Sequence, residues 1–301
     1  MNLRDLQYIV ALAEVGHFRR AAARCYVSQP TLSGQIRKVE EELGVTLFER
    51  GNKGVRLTPV GEQIVEKARD ALRIVGQIEE MAQGSRDPHV GSLRVGVIPT
   101  IGPYFIPLVM DALQEGLPNL QIAFFEEITE TLLSRLKAGD IDAALVATAS
   151  ADSALVEVPL YEEPFLLAVP RGHALADERL ISLESVDMDE VLLLTDGHCF
   201  RDQVLDAWNA QSPMRSINTR ATSLETVLAL VAAGEGITLV PALARGRGAI
   251  DERVVLCPIG SERAQRAVRI AYRAPFPRRA AIDRLAAIVR GCMPVAVRPL
   301  Q

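Results

Sequence analysis

The sequence predicts an α/β protein in three parts: a winged helix-turn-helix at residues 1–60, a linker helix and hinge at 61–90, and a two-lobed α/β domain at 91–301. Three observations carry this prediction. Short amphipathic helices precede a basic hairpin, a heptad pattern follows, and apolar strands then alternate with helices. A length of 301 residues suits one small and one large domain.

Composition narrows the class of protein before any motif is considered. Apolar residues make up 49% of the chain and charged residues 24%, which excludes a disordered chain and a collagen-like chain. The net charge of −5 argues against a nucleic-acid partner. Residues 1–60, however, hold nine basic and six acidic side chains, a local charge of +3 that leaves −8 for the rest. This asymmetry favours a nucleic-acid module joined to a different domain.

Several kinds of segment are missing from the sequence. No apolar run approaches the roughly 18 residues of a membrane span, and no apolar signal segment opens the chain, so we expect a cytoplasmic protein with no membrane partner. Enzyme motifs and clustered metal ligands are also absent, so we expect no catalytic residue, no cofactor and no metal. The four cysteines lie far apart, which indicates reduced thiols: Cys25, Cys199, Cys257 and Cys292.

The first sixty residues predict three helices and a hairpin. Apolar residues at helical spacing indicate a helix over 3–14, and the Ala-rich segment 19–25 a second. Ser28 is a good N-cap and Pro30 suits a first turn, so a third helix is expected from there to about Leu43. Residues 47–57 then predict a hairpin wing with a basic tip. The same pattern fits a small helical domain with a solvated charged face, and both interpretations stay open on these residues alone.

The run VSQPTLSGQIRKVEEELGVTLFERGNKGVRLTPVGE resembles the DNA-binding domain of LysR-type transcriptional regulators, and the match covers nearly all of residues 1–63. The resemblance implies a regulator that binds double-stranded promoter DNA, with RNA polymerase as a further partner. Short polar side chains at a helix start, with basic ones further on, suit base edges and phosphates of a major groove. The implied groove-facing residues are Ser28, Gln29, Pro30, Thr31, Ser33, Gln35 and Arg37, and the implied wing contacts to phosphate are Arg50 and Arg56.

A long helix is predicted from Pro59 to about residue 83. Small and apolar residues fall on a heptad, at Gly61, Ala68, Val75 and Ala82 in one position and at Ile64, Ala71 and Ile78 in the other. This spacing favours a helix-helix interface, although a surface helix lying on its own domain has the same pattern. The family resemblance implies a dimerisation helix, and hence a homodimer or homotetramer. Residues 84–88 are polar and turn-rich, which indicates a hinge.

Residues 91–301 predict parallel sheets covered by helices. Strands are expected at 92–98, 121–126, 143–146, 165–170, 191–195, 217–221, 237–240 and 268–272, with helices from about residue 103 and at 129–139, 201–209, 224–233 and 278–290. Ligands bind at the carboxyl ends of such strands, which draws attention to Thr100, Thr129 and the loop 196–202. The segment resembles the periplasmic-binding-protein-like (flavodoxin-like) effector domain of the same family. That resemblance implies lobe I at 91–162 plus 267–301 and lobe II at 163–266.

Cys199 stands out from the other cysteines because of its neighbours. It lies in TDGHCFRDQ, between a predicted strand and a predicted helix, beside His198 and near Arg201. A helix N-terminus, an imidazole and a guanidinium each favour a thiolate, which is the form that reacts with peroxide. On residues alone, a buried structural cysteine is the commoner outcome.

The loop DGHCFRDQ closely resembles the redox loop of the peroxide-sensing members of the LysR family, as do GVIPTIGPYFIP and VRIAYRAPFPRR elsewhere. The resemblance implies that Cys199 reacts with hydrogen peroxide, that Thr100, Thr129, His198 and Asp202 surround the peroxide, and that Arg266 supports them.

One position departs from the pattern of those relatives. Most of them carry a second cysteine nine residues after the first, and here Trp208 occupies that position. Three outcomes follow. Oxidation stops at sulfenic acid or a mixed disulfide with a small thiol, Cys257 or another chain's cysteine resolves it, or the protein answers to a small organic effector in the interlobe cleft instead of peroxide. We expect a one-cysteine redox sensor, because the loop around Cys199 is otherwise kept.

Overall fold

A computed structural model describes residues 1–51, 54–208, 221–246 and 250–300 of the chain. The chain divides into two compact units, Met1–Ala82 and Gln83–Gln301. Among the described residues, no helix is long and apolar enough to cross a membrane.

The three predicted N-terminal helices are confirmed as α1 (Leu3–Val15), α2 (Phe18–Arg24) and α3 (Gln29–Leu43). Their ends follow from local chemistry. The Ser28 hydroxyl accepts a hydrogen bond from the Thr31 amide and caps α3 at its start. Gly16 and Gly44 end α1 and α3 in the left-handed conformation, at φ 64° and 70°, where a glycine carries no Cβ penalty.

A small apolar core holds these helices together. Ile9, Leu12, Leu32 and Ile36 are at most 1% exposed, and they come from the buried faces of α1 and α3. The wing is an antiparallel hairpin of β1 (Phe48–Gly51) and β2 (Gly54–Leu57). The third helix therefore leaves its polar side free at the surface of a packed unit.

The long helix α4 runs from Pro59 to Arg86. Its heptad positions do not behave alike. Gly61 and Ala68 are buried within the chain, and a Cβ on Gly61 would overlap the Leu47 carbonyl oxygen. The first turns therefore pack on their own unit and not on a partner, as the alternative interpretation had it. Ile74 and Ile78 are 52% and 60% exposed, so an open apolar stripe begins only at Ile74.

The C-terminal unit alternates strands and helices. In chain order they are β3 (Gly91–Val97), α5 (Gly102–Gly116), β4 (Leu120–Glu126), α6 (Thr129–Ala138), β5 (Ala143–Val146), β6 (Leu155–Pro170), α7 (Cys199–Ala207), α8 (Leu224–Ala233), β7 (Thr238–Pro241), β8 (Val254–Pro258), β9 (Gln265–Arg273), α9 (Arg279–Cys292) and β10 (Arg298–Pro299). Short 3-10 turns lie at Leu183–Ser185, Met188–Glu190 and Ala242–Gly246.

The expectation of purely parallel sheets was wrong. Strand β3 pairs in parallel with β4 and β5, but β9 pairs antiparallel with both β5 and β6. The reason lies in the connection between the lobes. The chain leaves one lobe through β6 and returns through β9, so these neighbouring strands must run in opposite directions. Strand β6 is accordingly longer than the predicted segment 165–170, and it also pairs with β7 and β8.

The predicted strand at 191–195 is not a regular strand. Val191 and Leu194 form single parallel bridges to Ile237 and Ala221. The partner segment predicted at 217–221 lies, except for Ala221, outside the described residues. Residue 209, the predicted end of α7, also lies outside them.

Two hydrophobic cores fill the C-terminal unit, and we call the parts around them lobe I and lobe II. The core of lobe I draws on residues within 93–161 and 268–297, and that of lobe II on residues within 165–264. Ala242 and Leu243 are an exception, because they belong to the core of lobe I although the predicted limits assigned them to lobe II. The turn that holds them follows β7 directly and packs against α5.

Candidate functional site

The start of α7 brings Cys199 to the contact between the two lobes. Gly197 takes a left-handed φ of 92°, which turns the chain into the helix, and Cys199 is the first helical residue. Its half-buried side chain packs against the core of lobe I. Phe200, the next residue, is 2% exposed and belongs to the core of lobe II. The thiol therefore faces what we call the interlobe seam, the contact between α7 and the core of lobe I.

Gln203 crosses this seam with a hydrogen bond. It lies four residues after Cys199, on the same helical face. Its Nε2 donates to the Ala147 carbonyl oxygen in lobe I at 2.8 Å. Its Oε1 is buried and has no hydrogen-bond partner among the described residues. The seam therefore contains a buried acceptor that a small hydrogen-bond donor would satisfy.

Thr129 supplies a second buried polar atom near the same loop. It is the first residue of α6, and its Oγ1 is also buried without a partner in the described part of the chain. A Cβ on Gly197 would lie 3.7 Å from Cδ1 of Ile128, so the loop before Cys199 runs beside the start of α6. The structure thus brings the predicted residue Thr129 next to the redox loop.

Thr100 and Arg266 are joined in one buried network with Glu163. The Arg266 Nη1 donates to Thr100 Oγ1 at 2.8 Å, and its Nη2 donates to the Thr100 carbonyl oxygen at 2.9 Å. Its Nε donates to Glu163 Oε2 at 2.9 Å. The guanidinium carbon lies 5.4 Å from the centroid of the Phe200 ring. The Arg266 guanidinium, on strand β9, therefore makes a cation–π contact with Phe200, the residue that follows Cys199.

His198 and Asp202 flank the thiol in different environments. His198 precedes the first helical residue, and burial lowers the pKa of its imidazole, which is therefore neutral at pH 7. Asp202 lies in the first turn of α7 and is exposed. Arg201 is ion-paired with Asp196 at 3.0 Å. The positive charge beside Cys199 is thus smaller than the sequence suggested, because one group is neutral and the other is paired.

The remaining cysteines are less suited to reaction. Burial raises the pKa of the Cys25, Cys257 and Cys292 thiols. The Cys257 thiol also donates to the Leu175 carbonyl oxygen at 3.4 Å. These three groups are protonated at pH 7, and a protonated thiol is a poor nucleophile.

Trp208 is half-buried beside the core of lobe II. It caps α7 at its end, packs against that core and donates from Nε1 to the Leu183 carbonyl oxygen at 2.9 Å. The indole therefore fills space beside the apolar core at the end of α7.

The polar face of α3 is only partly available. Ser28, Gln29, Pro30 and Thr31 are exposed at its start. Ser33 is half-buried, and Gln35 differs from the expectation because its Nε2 donates to Asp5 Oδ1 at 3.0 Å.

Two of the three basic residues predicted to contact DNA, Arg37 and Arg56, have exposed side chains. Arg37 is exposed and pairs with Glu41 one turn along α3, at 2.9 Å. Arg56 on the wing is exposed, whereas the side chain of Arg50 lies outside the described part of the structure.

Three residues of the site escaped the sequence analysis: Glu163, Phe200 and Gln203. Glu163 carried a signal, since it is a carboxylate two residues before the apolar segment predicted as a strand at 165–170. Its partner became visible only with the strand register, which aligns Glu163 on β6 with Arg266 on β9. Gln203 lies four residues after Cys199, a spacing that places both side chains on one helix face. Within the described residues, no group of three metal-binding side chains comes together.

The chain combines a helix-turn-helix unit with a two-lobed α/β domain that has polar groups at its interlobe seam. This combination is typical of a transcription regulator that carries its DNA-binding and sensor domains in one chain. Residues 3–62 match the bacterial regulatory helix-turn-helix protein model of the lysR family, and residues 86–293 match the LysR substrate binding domain. The chain belongs to the LysR family. It is therefore a DNA-binding transcription regulator and not an enzyme.

Relatives narrow the comparison further. The chain is 42% identical over 293 residues to the DNA-binding transcriptional dual regulator OxyR of Escherichia coli K12, covering 97% of this chain and 96% of that protein. It is 42% identical over 300 residues to the hydrogen peroxide-inducible genes activator of Dickeya chrysanthemi, covering 100% of this chain and 98% of that protein.

Two solved structures resemble the fold over almost the whole chain. A full-length OxyR variant from Pseudomonas aeruginosa, in which a cysteine is replaced by aspartate, superposes with a TM-score of 0.70 at 39% identity, covering 97% of this chain and 99% of that chain. A hydrogen-peroxide-bound OxyR mutant from Corynebacterium glutamicum gives a TM-score of 0.66 at 32% identity, covering 97% of this chain and 92% of that chain.

Proposed function

We propose that this regulator senses hydrogen peroxide through oxidation of the Cys199 thiol and thereby controls oxidative-stress genes. One observation carries the proposal. Cys199 faces the core of lobe I while its neighbour Phe200 is anchored in lobe II, so a change in the size or polarity of the sulfur acts directly on the interlobe seam. The similarity to OxyR proteins supports peroxide as the oxidant.

The chemistry is a two-electron oxidation of sulfur. The Cys199 thiolate attacks one oxygen of hydrogen peroxide, an S–O bond forms and the O–O bond breaks. The other oxygen leaves with the bonding pair as hydroxide and becomes water when it takes a proton. The sulfur is oxidised to sulfenic acid, and the peroxide is reduced.

The residues around the thiol supply different hydrogen-bonding groups to the peroxide. Thr100 and Thr129 offer hydroxyl groups, and Gln203 offers an amide oxygen, to a small molecule that both donates and accepts hydrogen bonds. Neutral His198 presents one ring nitrogen with a proton and one without. Asp202 accepts from a peroxide hydrogen at the exposed end of the seam. Arg266 supports Thr100 and is itself too buried to meet solvent.

Oxidation has a structural consequence at the seam. A sulfenic oxygen adds polar volume where Cys199 contacts an apolar core, and such additions are disfavoured in packed interiors. The start of α7 then moves away from lobe I, and the Gln203–Ala147 hydrogen bond breaks. Rearrangement of the two lobes changes the geometry of the DNA-binding heads in the assembly.

We propose a one-cysteine sensor. Trp208 occupies the position that carries a resolving cysteine in most peroxide-sensing relatives, and Cys257 is buried with its thiol hydrogen-bonded. Cys199 sulfenic acid then either persists or condenses with a small cellular thiol.

Promoter binding rests on the N-terminal unit. Seven residues at the start and on the polar side of α3 are proposed to face the major groove, with Arg50 and Arg56 on backbone phosphates: Ser28, Gln29, Pro30, Thr31, Ser33, Gln35 and Arg37. Gln35 must release Asp5 to do so. The stripe of Ile74 and Ile78 on α4 supports a homodimer, or a homotetramer built from dimers. We further propose RNA polymerase as a partner and the cytoplasm as the location.

The alternative function is a LysR-type regulator that responds to a small organic effector bound in the interlobe cleft. The charges of the cleft disfavour an anionic effector. Glu126 on lobe I has its pKa raised by burial and by the charge of Glu225 on lobe II, so the two carboxylates lie close enough to repel. The Tyr104 hydroxyl donates to Glu225 across the lobes at 3.2 Å. An anionic effector would meet two negative groups there.

The experiment measures intact mass and promoter footprint after peroxide, in the wild type and in Cys199→Ser. We expect a gain of one oxygen, or a glutathione adduct when glutathione is present, together with a changed footprint in the wild type only. Cys257→Ser is the matched control and should respond like the wild type. A footprint response that survives Cys199→Ser would overturn the proposal, and a thermal shift with small acids would then favour the alternative.

A further inference from the structure

The Glu163 carboxylate has both oxygens engaged by donors inside the protein. Its Oε2 accepts from Arg266 Nε, and Arg266 Nη2 lies 2.9 Å from the same oxygen. Its Oε1 accepts from the Leu243 amide at 2.8 Å. The Glu163 side chain is fully buried and that of Arg266 is 1% exposed. Within the described residues, both oxygens of this carboxylate are thus hydrogen-bonded, and the group is buried away from water.

The pair fixes the orientation of the guanidinium. Glu163 and Arg266 are paired in the antiparallel register of β6 and β9, the two strands through which the chain passes between the lobes. Because a guanidinium is planar, anchoring one edge on Glu163 aims the rest of its N–H groups in fixed directions. Those directions lead to the two oxygens of Thr100.

The consequence falls on the hydroxyl of Thr100. A guanidinium has donors only, so Thr100 Oγ1 must accept from Arg266. The hydroxyl hydrogen of Thr100 is then not used by that bond. Thr100 is 2% exposed, so this hydrogen points into the protein and not into bulk water. Arg266 also lies over the ring of Phe200, the residue that follows Cys199 in the chain, so the network contacts the first turn of the helix that carries the thiol.

We infer that Glu163 is a positioning residue that acts through Arg266 to make Thr100 a hydrogen-bond donor towards the oxidant at Cys199. The inference rests on the proposed peroxide function. In the reaction, the oxygen that leaves the peroxide gains negative charge, and a fixed donor aimed at it lowers the barrier. Glu163 itself does not touch the peroxide.

Replacing Glu163 by glutamine removes both the negative charge and one of the two acceptor oxygens of the side chain. An amide has one acceptor oxygen, whereas Glu163 serves donors on both of its oxygens. Glu163→Gln therefore leaves either the Leu243 amide or Arg266 without an acceptor, and in both cases it removes the negative charge that anchors the guanidinium. The matched control is Asp142→Asn in lobe I, which removes the buried carboxylate of the Arg94–Asp142 pair at 2.9 Å. That pair is remote in sequence from the redox loop and shares no residue with the network.

The experiment uses the full chain and follows Cys199 by peptide mass spectrometry. Two rates are measured on the same cysteine: oxidation by hydrogen peroxide, and alkylation by iodoacetamide, which requires a thiolate but no donor for a leaving oxygen. We expect Glu163→Gln to slow oxidation about tenfold or more, the size of effect that a lost transition-state donor produces. Alkylation should stay within about twofold, as should both rates in Asp142→Asn.

Thr100 variants keep the test decisive if Glu163→Gln fails to fold. Thr100→Val should slow oxidation about tenfold or more while alkylation stays within about twofold. Where Glu163→Gln folds, adding it to Thr100→Val should slow oxidation no further.

Three results would overturn the inference. The first is an equal oxidation rate in Glu163→Gln and wild type, and the second is an equal fall in the oxidation and alkylation rates of Glu163→Gln. The third is a wild-type oxidation rate in Thr100→Val. A wild-type Cys199 that does not react with peroxide would overturn the proposed function as well, so the two failures are distinguishable.

Discussion

Cys199 and Phe200 are consecutive residues that pack into different lobes. The thiol contacts the core of lobe I, and the Phe200 ring is buried in lobe II, 5.1 Å from the Phe165 ring in an edge-on arrangement. One peptide unit thus bridges the two cores. Because the packing of Phe200 on Phe165 holds this end of α7 in lobe II, an enlarged sulfur must displace the contact between Cys199 and lobe I.

The cross-seam bond from Gln203 to Ala147 should contribute measurably to stability. Gln203→Leu keeps much of the side-chain volume, but it leaves the Ala147 carbonyl oxygen without its donor. We expect a loss of about 1–2 kcal/mol in the free energy of unfolding, measured by urea denaturation of the reduced protein. Oxidised wild type should lose a similar amount, because the same bond breaks. Equal stability of the reduced variant and wild type would contradict the role given to this bond.

His198 should make stability depend on pH in the mildly acidic range. Its pKa in the folded protein lies below the ordinary value of 6.5, so the unfolded chain binds the proton more readily. The contribution is therefore fully present above pH 6.5 and is lost as pH falls through the lower folded value. We expect His198→Asn to reduce the slope of unfolding free energy against pH just below pH 6.5. An unchanged slope would show that the imidazole is not shielded from water.

How far the sequence predicts the fold is clear from particular elements. The limits of helix α3 agree with the prediction, because they depend on local signals: the Ser28 cap, Pro30 and the closing Gly44. The segment at 191–195 was not, since Val191 and Leu194 pair only through isolated bridges that tertiary packing decides. A continuous apolar run predicts burial better than it predicts regular pairing.

The site divides in the same way. The loop around Cys199 is local, so its place before a helix was predictable from the sequence, although that helix begins at Cys199 and not at the predicted Arg201. Glu163 and Arg266 are 103 residues apart, and their pairing depends on the register of β6 against β9. The sequence carries no local sign of that register, which is why Arg266 was predicted only through a family resemblance and Glu163 not at all.

Two glycines of α4 should respond oppositely to the same substitution. Gly61→Ala adds a Cβ that overlaps the Leu47 carbonyl oxygen, and backbone cannot give way cheaply, so we expect a loss of about 1–3 kcal/mol. Gly76→Ala has open space around it in the same helix and should gain about 0.5–1 kcal/mol, because alanine favours helix. Thermal unfolding of both variants compares them directly. A gain at Gly61 would show that α4 does not pack on the wing as described.

Tyr26 should be a site where substitution stabilises the protein. It lies in the turn between α2 and α3 at φ 55°, and its side chain is 95% exposed, so its ring contributes little to the core. An L-residue in the left-handed region costs about 1–2 kcal/mol, and asparagine tolerates that region better than tyrosine. We expect Tyr26→Asn to raise the free energy of unfolding by about 0.5–1 kcal/mol. Gly44→Ala is the opposite control, since it places a Cβ at φ 70° with open space around it and should destabilise by strain alone. If both variants shift the unfolding midpoint in the same direction, backbone strain does not govern these turns.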